Sequence, residues 1–126
     1  MPSLKKALNW RDDRGTTVVE FALVGPVFLL LLISTIYMSM MLFSAGNLFL
    51  AVQKGARCAS VQTATCTDSA STITYSKGLY WGVGATPTFT ATAAACGQKV
   101  TGTVNYTMPI GSNKITVPIS ATACFP

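Results

Sequence analysis

A long apolar stretch near the N-terminus dominates the hydrophobic pattern of the chain. From Thr16 to Ala45 the only charged residue is Glu20, and no further charge occurs until Lys54. A bilayer core requires about 20 apolar residues in a helix, so the pattern predicts a transmembrane helix over residues 16–45. The alternative is a cleaved secretory signal, but the apolar core of such a signal covers only about 7–15 residues.

A helical pattern continues over residues 46–62 with a narrower apolar face. Small and medium-sized apolar residues recur there at helical spacing, and basic or polar residues occupy the other side. The apolar positions are Leu48, Val52, Gly55, Ala56 and Ala59. This pattern predicts an amphipathic extension that packs at close range against a sheet.

From Thr63 onward the composition shifts to Thr, Ser, Ala and Gly. The candidate strands are residues 72–75, 79–83 and 86–92. Residues 100–108 and 115–121 alternate apolar and polar positions around a Pro-Ile-Gly-Ser turn, which predicts a β-hairpin. We therefore predict an α+β fold in which a long N-terminal helix packs on a small antiparallel β-sheet, with residues 63–126 as the β module.

All four cysteines lie beyond the apolar run, and none forms the C-x-x-C pair of zinc or redox sites. They are Cys58, Cys66, Cys96 and Cys124. An even count in a small module is typical of disulfides formed in an oxidising compartment. Four cysteines allow three pairings, so the sequence leaves the connectivity open.

The predicted hairpin favours one of these pairings. With Val104 opposite Val117 and Tyr106 opposite Ile115, Cys96 comes within one residue of Cys124. A bulge near Gly97 would align the two cysteines. We therefore favour Cys96–Cys124, with Cys58–Cys66 joining the end of the helix to the loop that follows.

The composition argues against catalysis and against several kinds of ligand. The chain has no histidine, and Asp68 is the only acid beyond the apolar run, so a histidine base, a carboxylate pair and a conventional metal cluster are all lacking. The net charge is +5, but the basic residues are scattered rather than clustered with aromatics. We expect no enzymatic activity, cofactor, metal, nucleic acid or small-molecule substrate.

Residues 1–15 form a short basic segment before the apolar run. Its cations are Lys5, Lys6, Arg11 and Arg14, and they outnumber Asp12 and Asp13. Positively charged flanks tend to remain in the cytoplasm. We therefore expect a cytoplasmic leader and export of the chain that follows the span.

Two features within the apolar run call for explanation. A carboxylate such as Glu20 is costly in a membrane segment and indicates a functional site by default. Alternatively, Thr17-Val-Val-Glu20 fits the S/T-x-x-E capping box and would cap the helix. Further along, Gly25-Pro26 predicts a kink, because Pro26 removes a helical hydrogen bond and clashes with the carbonyl of Ala22.

The leader, Gly15, the uncharged run and Glu20 at the fifth position after that glycine resemble the class III signal of the type IV pilin superfamily. Residues 15–29, Gly-Thr-Thr-Val-Val-Glu-Phe-Ala-Leu-Val-Gly-Pro-Val-Phe-Leu, are similar to the start of TadE-like pseudopilins of the tight-adherence (Tad) pilus system. Gly55-Ala-Arg57 and the cysteine-bearing tail also resemble that family. Thr16 differs from the Phe that often follows the cut in the best-known type IV pilins, which disfavours that branch.

The resemblance implies a pilin-like fold and cleavage by a prepilin peptidase between Gly15 and Thr16. The new α-amine of Thr16, with a reference pKa of about 7.7–8, would then pair with Glu20 of an adjacent subunit. Two charges that are costly to bury would compensate each other in this way.

The implied role is that of a minor pilin in Tad pilus assembly, tip structure or adhesion. Its implied partners are the prepilin peptidase, other Tad pilins, assembly-platform proteins and the bacterial inner membrane, with the module exported to the periplasm or the pilus surface. Two other functions fit the same pattern: a single-span anchored binding module that never enters a filament, and a type II secretion pseudopilin.

Overall fold

The structure is a computed structural model that describes residues 12–126, with side chains described from Gly15 onward. The predicted leader therefore lies largely outside the described residues, including Lys5, Lys6, Arg11 and the side chain of Arg14. The elements are α1 (Asp12–Val61), α2 (Ser69–Gly78), β1 (Thr88–Ala94), β2 (Gly97–Ile110) and β3 (Asn113–Phe125). The α+β prediction, a long N-terminal helix on a small antiparallel sheet, is confirmed. The chain divides into two compact units, one ending at Ile36 and one covering Tyr37–Pro126.

Over the described residues of the first unit, α1 buries no large apolar side chain. Every large apolar side chain from Val18 to Ile36 is exposed. The helix persists because Val, Leu, Ile and Phe carry only a modest propensity cost, and Gly25 and Pro26 are isolated interruptions. An isolated helix with an apolar surface on all sides is stable in lipid, where its backbone hydrogen bonds are satisfied internally.

The core of the second unit lies between the later part of α1 and one face of the sheet. Its buried members come from three elements: Leu48, Ala51, Val52 and Ala56 of α1, Phe89 of β1, and Val100 and Val104 of β2. The other face of the sheet carries mainly threonines, which pair across strands as in the hydroxyl contact between Thr101 and Thr122 (3.2 Å). This alternation follows from the two-residue period of a half-buried strand.

The three strands form an antiparallel sheet in the order β1-β2-β3. The hairpin is confirmed, but its predicted register is wrong by two residues, because Val104 pairs with Ile119 and Tyr106 with Val117. The turn contains only Gly111 and Ser112, and Gly111 adopts the left-handed φ of +61° that tight hairpins require. A shift of two residues keeps every side chain on its predicted face.

Residues 63–87 differ from the prediction. Residues 72–75 form part of α2 rather than a strand, and residues 79–83 are irregular. The strand predicted at residues 86–92 is present as β1. Local patterning misled the interpretation of residues 72–75 because Thr and Ile favour strands, whereas Thr72 and Ser76 are buried on the helix.

Two disulfides are present, in the pairing that the sequence analysis favours. Cys58 is bonded to Cys66 and Cys96 to Cys124. The predicted bulge near Gly97 is wrong, because the β2–β3 pairing runs without interruption from Gln98 to Ile110. Instead, Cys96 precedes β2, and Gly97 approaches β3 so closely that a Cβ there would lie 2.2 Å from the carbonyl oxygen of Phe125.

Candidate functional site

The predicted processing residues lie in the first turns of α1. Gly15, Thr16 and Glu20 are all exposed, and a Cβ at Gly15 would meet nothing within 4 Å. Thr16 and Glu20 are four positions apart in a helix, so they share a face. The bond after Gly15 is therefore accessible, but it is part of a helix.

The capping interpretation of Thr17 and Glu20 is wrong for the uncut chain. The helix already includes Asp12, five residues before Thr17, so both residues lie inside it. A single interior glycine such as Gly15 costs only about 1 kcal/mol relative to alanine, and no proline interrupts residues 12–16. The helical backbone therefore continues past the predicted cut site, and Glu20 is left without a capping role.

Glu20 is the only charged side chain among the described side chains of the first unit, residues 15–36. The next charge in the chain is Lys54, 34 positions later. The apolar window that follows has a mean hydropathy of 2.3 and none of it is buried in the structure. By length and composition, this helix is suited to crossing a membrane. A carboxylate at the start of such a surface needs a partner from outside the described residues of this unit.

A hollow lined only by apolar residues surrounds the predicted kink. It has a volume of about 560 Å³, and its walls include Phe21 and Phe28 on either side of Ala22, Gly25 and Pro26. Pro26 lies inside α1; the kink itself stays a prediction. The hollow arises because small residues stand between large ones, a surface on which membrane helices approach one another closely.

Polar side chains in the apolar run satisfy their hydrogen bonds within the helix. The Ser34 hydroxyl donates to the Leu30 carbonyl (2.7 Å), and the Thr35 hydroxyl donates to the Leu31 carbonyl. Such bonds to the preceding turn remove the need for water. These two residues are therefore compatible with a lipid environment, in contrast to Glu20.

Gly55-Ala-Arg57 contributes to three different surfaces. A Cβ on Gly55 would lie 2.1 Å from the hydroxyl oxygen of Ser76, so this glycine allows α2 to contact α1. Ala56 is buried in the core. Arg57 is exposed and lines a groove of about 470 Å³ beside the end of β3, together with Lys54.

Two features of this unit were not identified from the sequence. Asp68 forms a capping box with Ser71: its carboxylate accepts from the Ser71 N–H (2.8 Å), and its own N–H donates to the Ser71 hydroxyl (3.1 Å). The signal was Asp-x-x-Ser, a weaker variant of the usual capping box. The second is Ser44, which is fully buried and bonds both backbone groups of Val83. No local pattern could have indicated that contact, because 39 residues separate the partners.

The described residues contain no group of His, Cys, Asp or Glu side chains able to hold a metal ion, and all four cysteines are in disulfides. The two described side-chain carboxylates, Glu20 and Asp68, are both exposed. Hydrogen bonds from the side chain and then the backbone of Ser71 hold the pKa of Asp68 below its ordinary value. The arrangement therefore offers surfaces for association: the apolar helix, the hollow at Gly25-Pro26 and the exposed carboxylate of Glu20.

Comparison with known proteins agrees with this arrangement. Residues 15–57 match the family model described as TadE-like protein, so the resemblance found in the sequence is confirmed for this segment, which includes Gly15, Glu20 and Gly55-Ala-Arg57. No curated protein and no solved structure matches the chain.

Proposed function

We propose that this chain is a minor pilin of the Tad pilus. In this proposal residues 16–45 cross the inner membrane with the N-terminus inside, and residues 46–126 lie outside. A prepilin peptidase cuts between Gly15 and Thr16, and the mature subunit enters or initiates a filament through its long helix. The observation that carries the proposal is the match of residues 15–57 to TadE-like proteins, in a helix whose apolar surface is left exposed.

The position of Glu20 as the one charge of residues 15–36 supports a role for it in assembly. Cleavage creates an amine on Thr16, on the helix face that also carries Glu20. In a filament, the amine of one subunit pairs with Glu20 of the next, which compensates two charges in apolar surroundings and selects one axial offset between subunits. The hollow around Gly25-Pro26 supplies the close approach of neighbouring helices that this pairing needs.

Processing is tested by determining the N-terminal residue of the full chain from membrane and pilus fractions, with and without the prepilin peptidase. We expect Thr16 with the peptidase and an uncut N-terminus without it. An uncut N-terminus in cells that contain active peptidase and assemble pili would contradict the proposal. It would favour the anchored binding module instead.

Pairing is tested with Glu20→Gln, which removes the charge but keeps the size of the side chain. We expect normal cleavage and a loss of incorporation into pili of about tenfold or more, because an unpaired buried amine costs several kcal/mol. Val19→Ala, at the neighbouring exposed position, is the matched control and should assemble normally. Normal incorporation of the Glu20→Gln chain would refute the pairing while leaving cleavage intact.

A further inference from the structure

The loop between α2 and β1 carries two exposed apolar side chains. Trp81 is 77% exposed and Val83 is 47% exposed. Tryptophan is among the most buried residues on average, so a fully presented indole on a disulfide-stabilised module indicates a contact surface. Neither residue belongs to the core. Their exposure indicates a partner that binds apolar groups.

This loop is held in a defined conformation. The buried hydroxyl of Ser44 donates to the Val83 carbonyl and accepts from the Val83 N–H, each at 3.0 Å. One residue before Val83, Gly82 lies against the ring of Tyr80, so that a Cβ there would come within 2.0 Å of the Tyr80 hydroxyl oxygen. Trp81 is therefore presented by a loop that is fixed on both sides.

The hydrogen bonds of Ser44 attach the loop to the turn of α1 where buried residues first occur. Leu42 and Phe43, immediately before Ser44, are 63% and 53% exposed, whereas Ser44 and Leu48 are completely buried. Within the second unit, the hydrogen bonds of Ser44 thus join the loop to the turn of α1 where fully buried residues first occur, although Phe49 and Leu50 further along are again exposed. Trp81 and Val83 therefore add exposed apolar side chains next to a turn of α1 that also carries the exposed Leu42 and Phe43.

The chemistry around Trp81 fits the boundary of a bilayer. Trp is enriched where hydrocarbon meets headgroups, since its ring is apolar and its N–H can still donate a hydrogen bond. Lys77 is exposed and lines the same hollow as Tyr80 and Gly82, which provides a cation for lipid phosphates. The only acid of this unit, Asp68, caps the opposite end of α2.

We propose that the loop of residues 80–84 is a membrane-interface anchor: Trp81 and Val83 insert among lipid headgroups beside the outer end of the span, with Lys77 at the phosphates. The anchor fixes the depth and the orientation of the exported module before assembly. This inference rests on the proposed membrane span of residues 16–45. It commits to lipid as the occupant, and contact with another subunit is the competing outcome.

The test uses the fluorescence of Trp81 in the full chain. The sequence has two tryptophans, so Trp10→Phe leaves Trp81 as the only one. The protein is reconstituted into vesicles of phosphatidylcholine and phosphatidylglycerol, with or without bromine on the acyl chains in both leaflets. For a ring at the interface we expect a blue-shifted emission that brominated lipid quenches by about twofold or more. Emission typical of water that brominated lipid leaves unchanged would overturn the proposal.

Two further tryptophan reporters distinguish failure of the proposed anchor from failure of the proposed membrane span. In a chain with Trp10→Phe and Trp81→Phe, Phe28→Trp reports on the proposed span and Thr90→Trp reports on the exposed outer face of the sheet. If Phe28→Trp is quenched and Trp81 is not, the anchor fails and the span stands. If neither is quenched, the membrane span itself fails. Thr90→Trp should remain unquenched in either case.

Ser44→Ala tests whether the anchor depends on the fixed loop. Removal of the two hydrogen bonds to Val83 should reduce the quenching of Trp81 by about half, because the loop is no longer held at one depth. The Phe28→Trp reporter should be unaffected in the same background. If Trp81 is shielded only after filament assembly, and not in vesicles, a neighbouring subunit is the occupant and the lipid proposal is wrong.

Discussion

The first part of α1 leaves its large apolar side chains exposed, whereas the second part buries its apolar face. Up to Ile36 the helix presents large side chains, and all of them are exposed. From Ser44 to Cys58 its inward face is built largely from small residues, including Ala51, Gly55 and Ala56, and this face is buried. Large exposed residues suit a partner that adapts its shape to them, as lipid or neighbouring helices do. Small residues instead allow the sheet and α2 of the same module to approach α1 closely. One helix therefore carries two different kinds of interface.

The comparison is tested most strongly by truncating one leucine in each part. Leu48 is fully buried and Leu30 is 65% exposed. Leu48→Ala should lower the free energy of unfolding of the module by about 2–5 kcal/mol, because it leaves a cavity between helix and sheet. Leu30→Ala should change it by less than about 0.5 kcal/mol. Urea unfolding of the full chain in detergent, followed by near-UV circular dichroism, measures both.

Equal losses for the two leucine variants would contradict the division of α1 into an exposed and a packed part. A loss for Leu30→Ala alone would show that the first part supports the module.

Removing the disulfides should have the next largest effect, and only on the second unit. The two bridges close separations of 28 and 8 residues, for which chain entropy predicts losses of about 3.6 and about 2.5 kcal/mol. Paired alanine substitutions at Cys96 and Cys124, and separately at Cys58 and Cys66, test this order by urea unfolding. The helical signal of the first unit in detergent should remain. If the shorter bridge proved the more stabilising, the entropic account would be wrong.

Gly55→Ala tests the close approach between α1 and α2. The new methyl group would collide with the Ser76 hydroxyl, which is buried and donates to the Thr72 carbonyl (2.9 Å). We expect destabilisation of about 1–3 kcal/mol, as for other overpacked sites. Gly46→Ala is the matched control, because nothing lies within 4 Å of its Cβ; that variant should gain up to about 1 kcal/mol from helix propensity.

A second substitution sharpens the Gly55 prediction. Ser76→Ala removes the colliding oxygen, so Gly55→Ala should cost much less in that background than in the native chain. A double-mutant cycle of unfolding free energies measures this coupling. Equal costs in both backgrounds would mean that the collision is not the cause.

The smallest expected effect is a pH dependence that originates at Asp68. Because hydrogen bonds from Ser71 lower the pKa of Asp68 below its ordinary 3.8, the charged form is favoured in the folded state. The resulting stabilisation is present above pH 3.8 and is lost as the pH falls through the lower folded pKa. Asp68→Asn keeps a good cap and should remove this component from unfolding curves measured on both sides of that pH. An unchanged pH profile in the variant would assign the dependence to another group.

Periodicity in the sequence predicts the parts of the fold that are decided locally. The uninterrupted apolar run and the spacing of Leu48, Val52 and Ala56 predict α1, and the alternation in residues 100–121 predicts the hairpin with its correct faces. Gly15 and Glu20 stand out because a glycine and a single acid occur at the start of a run without other charges. These signals need no knowledge of distant residues.

The sequence-based predictions are wrong where contacts between distant residues determine the local structure. Residues 72–75 have strand-like composition, but Thr72 and Ser76 are buried by contact with the rest of the module, and the Asp68 cap starts a helix. The register was wrong by two residues because alternation is satisfied equally by either register, and the backbone conformation of Gly111 selects between them. The contact of Ser44 with Val83 has no local signature at all.

The sequence by itself therefore determined that a long helix begins with an apolar surface, carries one acid near its start and continues into a module with a hairpin and four cysteines. Only the tertiary structure decided that residues 69–78 form a helix, which register the hairpin takes and where the loop with Trp81 is attached. The physical reason is the range of the forces involved. Periodicity and capping act between near neighbours, whereas burial and close approach depend on residues that only the folded chain brings together.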